Sequence, residues 1–136
     1  MAGIVGDLKL DDEHSTIGLD DTLQEGAKRL LTVQNGILVV LDDDNQVKGV
    51  LGTKQFLKAF SEGKDASKEQ CKEYMEMDFL LVNVKEKLAK VLEKIRQRQP
   101  QAVVAVDDNE EFVGYFSPGD YQEAQNMVEN LKKLNL

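Results

Sequence analysis

Ile37-Leu-Val-Val-Leu-Asp42 and Ala102-Val-Val-Ala-Val-Asp107 have the same pattern, an apolar run closed by an aspartate, 65 residues apart. The register extends well beyond them. Gly49 pairs with Gly114, Leu23 with Leu88, Leu19 with Val84 and Phe56 with Tyr121, all without a gap, so residues 17 to 60 map onto 82 to 125. Chance supplies one apolar match easily. A register shared by strand, turn, glycine and helix positions instead marks duplication of one supersecondary unit.

Reading outward from the two runs gives that unit. Each run is followed by an acidic turn, Asp42-Asp-Asp-Asn45 or Asp107-Asp-Asn-Glu110, and then by a second β-rich stretch, 47 to 51 or 112 to 116, which predicts a hairpin. Upstream, Ser15 to Leu19 and Phe79 to Val84 read as short extended stretches leading into helices. Thr22-Leu-Gln-Glu25 has capping-box spacing, and Leu23, Ala27, Leu30 and Leu31 follow the helical period. In the second copy Leu88, Val91, Leu92 and Ile95 do the same, with Lys and Glu on the opposite face. Closing helices are predicted at about 53 to 62 and 118 to 134. The polar stretch 61 to 72, rich in Ser, Glu, Lys and Asp, reads as an exposed linker between a first repeat, 1 to 60, and a second, 73 to 136. The predicted fold is α+β, a βαββα unit twice over. One such unit leaves a sheet face and helix stripes uncovered, so the two repeats are expected to pack sheet to sheet about a pseudo-twofold axis as one module, with clefts between them.

Bulk properties narrow the function. The chain has 136 residues, 41% hydrophobic and 31% charged, which suits one soluble module. No apolar run approaches the roughly 20 residues of a membrane span. The N-terminus shows no basic region followed by a long apolar core, and the expected location is the cytoplasm. One cysteine, Cys71, and one histidine, His14, leave no set of zinc ligands, and no metal is expected. A net charge of −8 opposes a phosphate backbone, so nucleic acid is not an expected partner, although a helix start holds a small anion whatever the net charge. With no glycine-rich phosphate loop and no paired catalytic carboxylates, the chain is not expected to be an enzyme.

The stretches Ile37 to Leu51 and Ala102 to Phe116, an apolar strand ending in Asp, an acidic turn, then Val-x-Gly in the first and Phe-x-Gly in the second before two hydrophobic residues, resemble the cystathionine-beta-synthase (CBS) domain. Two in tandem resemble a CBS pair, or Bateman module, over nearly the whole chain. That resemblance implies a regulatory module that binds an adenosine-containing ligand (AMP, ADP, ATP or S-adenosylmethionine) in the cleft between repeats, modulates a separate effector polypeptide, and forms a homodimer. The alternative is a structural dimerisation or docking module that has lost ligand binding.

The family motif Gly-hydrophobic-hydrophobic-Ser/Thr-x-x-Asp is present in the second copy, Gly114-Tyr-Phe-Ser-Pro-Gly-Asp120, which puts Ser117 and Asp120 at its expected positions. The first copy reads Gly49-Val-Leu-Gly-Thr-Lys-Gln55, with Gly52 in place of the hydroxyl and Gln55 in place of the acid. An ionised carboxylate accepts from both ribose hydroxyls, and the serine hydroxyl and nearby N–H groups suit a phosphate. The resemblance therefore implies one good site at Asp120, lined by Tyr115 and Ser117, with Ser15, Thr16 and Ile17 crossing beside it and the loop at Asn35 and Gly36 contributing.

A plainer reading of each feature stands beside it. Ser117-Pro-Gly-Asp120 is equally a helix start, with Ser as N-cap, Pro at the first position and Asp against the dipole. Thr53 reads as a cap, Lys54 as a solvated side chain, and His14 as a surface histidine among acidic neighbours. The hairpin acids read as turn residues rather than a metal loop. Tyr121 and Phe56 read as packing residues, Met75 and Met77 as gap fillers, and Cys71 as unreactive.

Overall fold

The structure is a computed structural model and describes residues 3–11, 14–33 and 36–134. In chain order the elements are β1 (His14–Gly18), α1 (Leu23–Leu30), β2 (Ile37–Leu41), β3 (Val47–Leu51), α2 (Thr53–Ser61), β4 (Phe79–Asn83), α3 (Leu88–Arg98), β5 (Ala102–Val106), β6 (Phe112–Tyr115) and α4 (Pro118–Leu134), with short 3-10 turns at Val5–Asp7 and Cys71–Glu73. This is the predicted α+β repeat, βαββα twice. Each repeat forms a three-stranded sheet, ordered β1-β2-β3 and β4-β5-β6.

The apolar runs become the central strands because their backbone is paired on both sides. β2 lies parallel to β1, reached through α1, and antiparallel to β3 through the hairpin. The duplication extends to irregularities. Both hairpins shift register at the same place, between Val40 and Leu41 and between Ala105 and Val106. In the turns Asp42 Oδ1 accepts from the backbone N–H groups of Asp44 and Gln46 at 2.9 Å each, and Asp107 Oδ1 accepts from those of Asn109 and Glu111 at 2.9 and 3.0 Å. Asn45 and Glu110 are then left-handed, with φ of 63° and 62°. The acidic residues are thus Asx-turn acceptors that fix each hairpin.

Thr22 caps α1 as its spacing predicts, accepting from the Glu25 N–H at 3.2 Å. On α3 the predicted stripe of Leu88, Val91 and Leu92 is buried. On α1 it is corrected at one end. The helix stops at Leu30, so Leu31 falls past the last turn and is exposed, while Gly26 is buried against Phe56, Leu38 and Cys71.

The chain divides into two compact units, one of Met1–Asp12 with Leu80–Leu136, the other Glu13–Phe79. In the first, a leader formed by residues 3–11 is bound to the second repeat. Val5 and Gly6 donate to the carbonyls of Glu86 and Val84 at 3.0 and 2.8 Å, and Tyr115 donates to that of Leu10 at 2.9 Å. Val5, Leu8 and Leu10 join Leu80, Val82, Leu88 and Phe116 in its core. In the second unit the corresponding strap is residues 66–76. Leu23 donates to the Glu69 carbonyl and Cys71 to that of Asp21, both at 2.9 Å, and Val50 and Glu76 exchange backbone bonds of 3.0 and 2.7 Å. The stretch 61 to 68 is exposed as its composition predicts, but the strap continues inward until Cys71 is fully buried with Ile17, Leu23, Leu38 and Leu51.

Gly114 lies under Leu10 and Gly49 under Met75. Leu10 and Met75 are themselves 65 residues apart. Each repeat body is thus closed by the segment that precedes the other repeat, so the compact units cut across the order of the sequence. No helix among the described residues is long and apolar enough to cross a membrane.

Candidate functional site

At the end of β6 the chain leaves the sheet through Phe116 and enters α4 at Pro118. Proline fixes φ and lacks the N–H that the first helical turn cannot use, so the helix begins sharply there. Ser117 is its N-cap. The Ser117 Oγ accepts from the Asp120 N–H at 3.1 Å, while Asp120 Oδ2 accepts from the Ser117 N–H at 3.0 Å and from the Ser117 hydroxyl at 3.1 Å. This is a reciprocal capping box with an aspartate where a glutamate is usual. Ser117 is 1% exposed and Asp120 4%, and they are the buried polar residues of the described core. Burial raises the worth of each bond, since an unpaired carboxylate or hydroxyl at this depth carries its full desolvation penalty.

The first copy solves the same local problem with different chemistry. Gln55 Oε1 accepts from the Gly52 N–H at 2.7 Å, the bond that Asp120 makes to the Ser117 N–H. Gly52 has no side chain to return the favour. The backbone is capped, but the hydroxyl and the negative charge are both missing.

Beside the box, Ile95, Pro100, Ala102, Phe116, Ser117 and Tyr121 line a pocket of about 250 Å³ within the unit of the second repeat. Its walls are mostly apolar, with the serine at one edge. That volume lies just below the roughly 300–1,000 Å³ of typical small-molecule sites and suits one flat ring system. The first repeat has a counterpart of about 360 Å³ lined by Leu30, Gly36, Thr53 and Phe56, which correspond at the same shift to Ile95, Gln101, Pro118 and Tyr121. The duplication has therefore reproduced a pocket as well as a framework.

Of the residues expected to bind ligand, Tyr115, Ser117 and Asp120 come together in one unit. Tyr115 is buried on β6 and lines the pocket with Ser117. The others belong to the other unit. Ser15, Thr16 and Ile17 lie on β1, paired with Leu38, Val39 and Val40. The Thr16 carbonyl accepts from Arg29 Nη1 at 2.7 Å, and Ile17, 2% exposed, is part of that unit's core. Gly36 lines the counterpart pocket, and Asn35 lies outside the described residues. Sequence reasoning assigned Tyr121 to packing and gave Pro100 no role. Tyr121 does pack against the core, but it and Pro100 also wall the pocket. The aromatic match of Phe56 with Tyr121 was the available signal, since both stand at the same wall of their pockets.

Cys71 is no nucleophile in this setting. Burial, with the Asp21 carboxylate adding to it, pushes its thiol up to about 11. Among the described residues no three His, Cys, Asp or Glu side chains are grouped to hold a metal ion.

A family model described as CBS domain matches residues 5–62 and 71–126. Solved structures are similar across most of the chain. A CBS domain-containing protein of unknown function from Bacillus anthracis superposes with a TM-score of 0.75 at 17% identity, covering 90% of this chain and 92% of that one. A CBS domain protein from Pyrobaculum aerophilum complexed with AMP gives 0.70 at 20% identity, covering 90% and 98%. A CBS domain pair in complex with 5′-methylthioadenosine and S-adenosyl-L-methionine gives 0.69 at 20% identity, covering 89% and 98%. At such identities the likeness shows the fold. Comparison with curated protein sequences found no match.

Proposed function

The chain belongs to the CBS domain family, and from that premise we propose that it is a regulatory module that binds an adenosine-containing ligand (AMP, ADP, ATP or S-adenosylmethionine) and modulates a partner polypeptide. The observation that carries this is the buried Ser117–Asp120 pair beside an apolar pocket walled by Tyr121. An apolar slot suits a purine ring, a carboxylate suits ribose hydroxyls, and the N-terminus of α4 suits a phosphate. Similar folds carry AMP, and methylthioadenosine with S-adenosylmethionine, in their own structures. Contacts from Ser15, Thr16, Ile17, Asn35 and Gly36 rest on the family resemblance.

Capping and ribose recognition compete only in part, because a carboxylate offers about four lone-pair sites. A ligand that draws on Asp120 pulls on the first turn of α4, which gives binding a mechanical consequence. We read the module as non-catalytic, cytoplasmic and homodimeric. The second reading, a structural docking module, is favoured by the commitment of Ser117 and Asp120 to each other in the capping box.

Calorimetric titration with each of the four ligands, on the native chain and on Asp120→Ala, separates the two. Heat with at least one ligand, weakened about tenfold or more by the substitution, supports the sensor. No heat at millimolar ligand removes it, and equal binding by Asp120→Ala removes the site. Light scattering across a dilution series tests the homodimer, and a monomer at every concentration refutes it.

A further inference from the structure

We propose that the pocket beside Ser117 and Asp120 selects purine nucleosides whose 5′ substituent is uncharged or cationic, as in adenosine or S-adenosylmethionine, over AMP, ADP and ATP. This narrows the ligand of the regulatory reading and rests on that reading. A helix start attracts a phosphate through its unbonded N–H groups and its dipole, and α4 has committed both to its own cap. Of its first four backbone positions, Ser117 donates to Asp120 Oδ2 at 3.0 Å, Pro118 has no N–H, and Asp120 donates to Ser117 Oγ at 3.1 Å. Among the described residues only the Gly119 N–H is left unengaged in that turn. The single proton of the Ser117 hydroxyl goes to Asp120 Oδ2 at 3.1 Å, so the serine has no second one for a phosphate.

Charge points the same way. A helix dipole places about half a positive charge at its start, and Asp120 sets a full negative charge in the first turn of α4. The start of α4 is therefore net negative, and with Asp120 only 4% exposed, water screens that charge little. No Lys, Arg or His stands among the described residues of the pocket wall, whose polar groups are those of Gln101, Ser117, Tyr115 and Tyr121. The basic residues flanking Ile95 on α3 lie outside it: Lys94 is paired with Glu86 at 2.9 Å, and Arg96 and Arg98 are exposed. A 5′-phosphate brings about two negative charges at pH 7, and a ribose held by Asp120 keeps that phosphate within reach of the carboxylate. Like charges then oppose each other with no cation in the wall to offset them. The equivalent first turn of α2 holds no acid, so this discrimination belongs to the second repeat.

The test is calorimetric titration of the full chain with adenosine, S-adenosylmethionine, AMP and ATP. The first two are expected to bind about tenfold or more tighter than AMP, with ATP weakest. Asp120→Asn keeps the size of the side chain and an oxygen acceptor for the Ser117 N–H but removes the charge. In that variant the affinities for adenosine and AMP are expected to come within about threefold of each other. AMP or ATP binding the native chain as tightly as adenosine or S-adenosylmethionine overturns the proposal, and this order is read without any variant. An adenosine-to-AMP ratio that Asp120→Asn leaves unchanged, in protein shown to be folded by circular dichroism, overturns it as well. Either result leaves the sensor standing. No heat from the native chain with any of the four instead refutes the sensor, and the ligand preference falls with it.

Discussion

Gly49 and Gly114 occupy the same position in the two repeats, yet replacing each by alanine is expected to have different costs. At Gly114 a new Cβ meets the backbone of the leader, overlapping the Leu10 carbonyl oxygen and lying 2.5 Å from Leu10 Cβ and 3.0 Å from its carbonyl carbon. Carbon atoms pack at about 3.5–4.0 Å, so the leader must retreat by roughly 1 Å. That strains the Tyr115 to Leu10 bond of 2.9 Å and lifts Leu10 and Leu8 from the core. Overpacking costs about 1–3 kcal/mol and a lost backbone bond about 1 more, giving about 2–4 kcal/mol for Gly114→Ala. At Gly49 the obstacles are Met75 Cγ and Sδ, both at 2.7 Å, and Met75 Cβ at 2.9 Å. A thioether chain with three rotatable bonds can swing aside while Val50 and Glu76 keep their backbone bonds, so Gly49→Ala is expected to cost about 1 kcal/mol. Urea unfolding of both variants measures this, supported by a double-mutant cycle with Met75→Ala or Leu10→Ala. Met75→Ala removes two of the three clashing atoms and should recover part of the Gly49→Ala loss. Leu10→Ala leaves the clashing backbone and Cβ in place and should recover none. Equal costs for the two glycines, or rescue by Leu10→Ala, would refute the claim that leader backbone covers Gly114.

Asp120→Ala should destabilise the chain by about 1–3 kcal/mol because it strips a buried cap, whereas Gln55→Ala at the equivalent position should cost under about 1 kcal/mol; thermal unfolding of the two variants compares them, and similar losses would deny the buried box its special weight. Cys71, with a thiol near 11 and no exposed surface, is expected to react with a disulfide reagent at pH 8 about a hundredfold or more slower than a free thiol, and promptly once unfolded; stoichiometric labelling of the folded chain within seconds would contradict this. Asp42 is held below the ordinary carboxylate value by the Gln46 backbone bond first, with the Asp44 N–H and Lys48 adding to it against desolvation. A depressed folded pKa contributes stability above the unfolded value and loses it as pH falls through the folded one. The urea-midpoint gap between the native chain and Asp42→Asn, steady from pH 7 to about 5, should therefore shrink below about pH 4; an unchanged gap at pH 3 would rule out a role for the charge.

The sequence by itself determined the local units. Strand and helix formation depend on patterns read within a dozen residues, such as the apolar run Ala102 to Val106, the cap at Thr22 and the acidic turns at Asp42 and Asp107, so the βαββα order and the register of 65 were both legible there. The motif at Ser117 and Asp120 was legible too, together with its loss at Gly52 and Gln55. Tertiary structure alone decided which segment covers which repeat. That Leu10 lies on Gly114 and Met75 on Gly49 follows from contacts over about a hundred residues in one case and 26 in the other, and no local period encodes a partner at such separations. The same holds for the pocket, whose wall at Pro100 and Tyr121 exists only once β5, β6 and α4 are assembled. Structure also decided that Ser117 and Asp120 are bonded to each other, because burial leaves a serine and a carboxylate three residues apart little water to turn to.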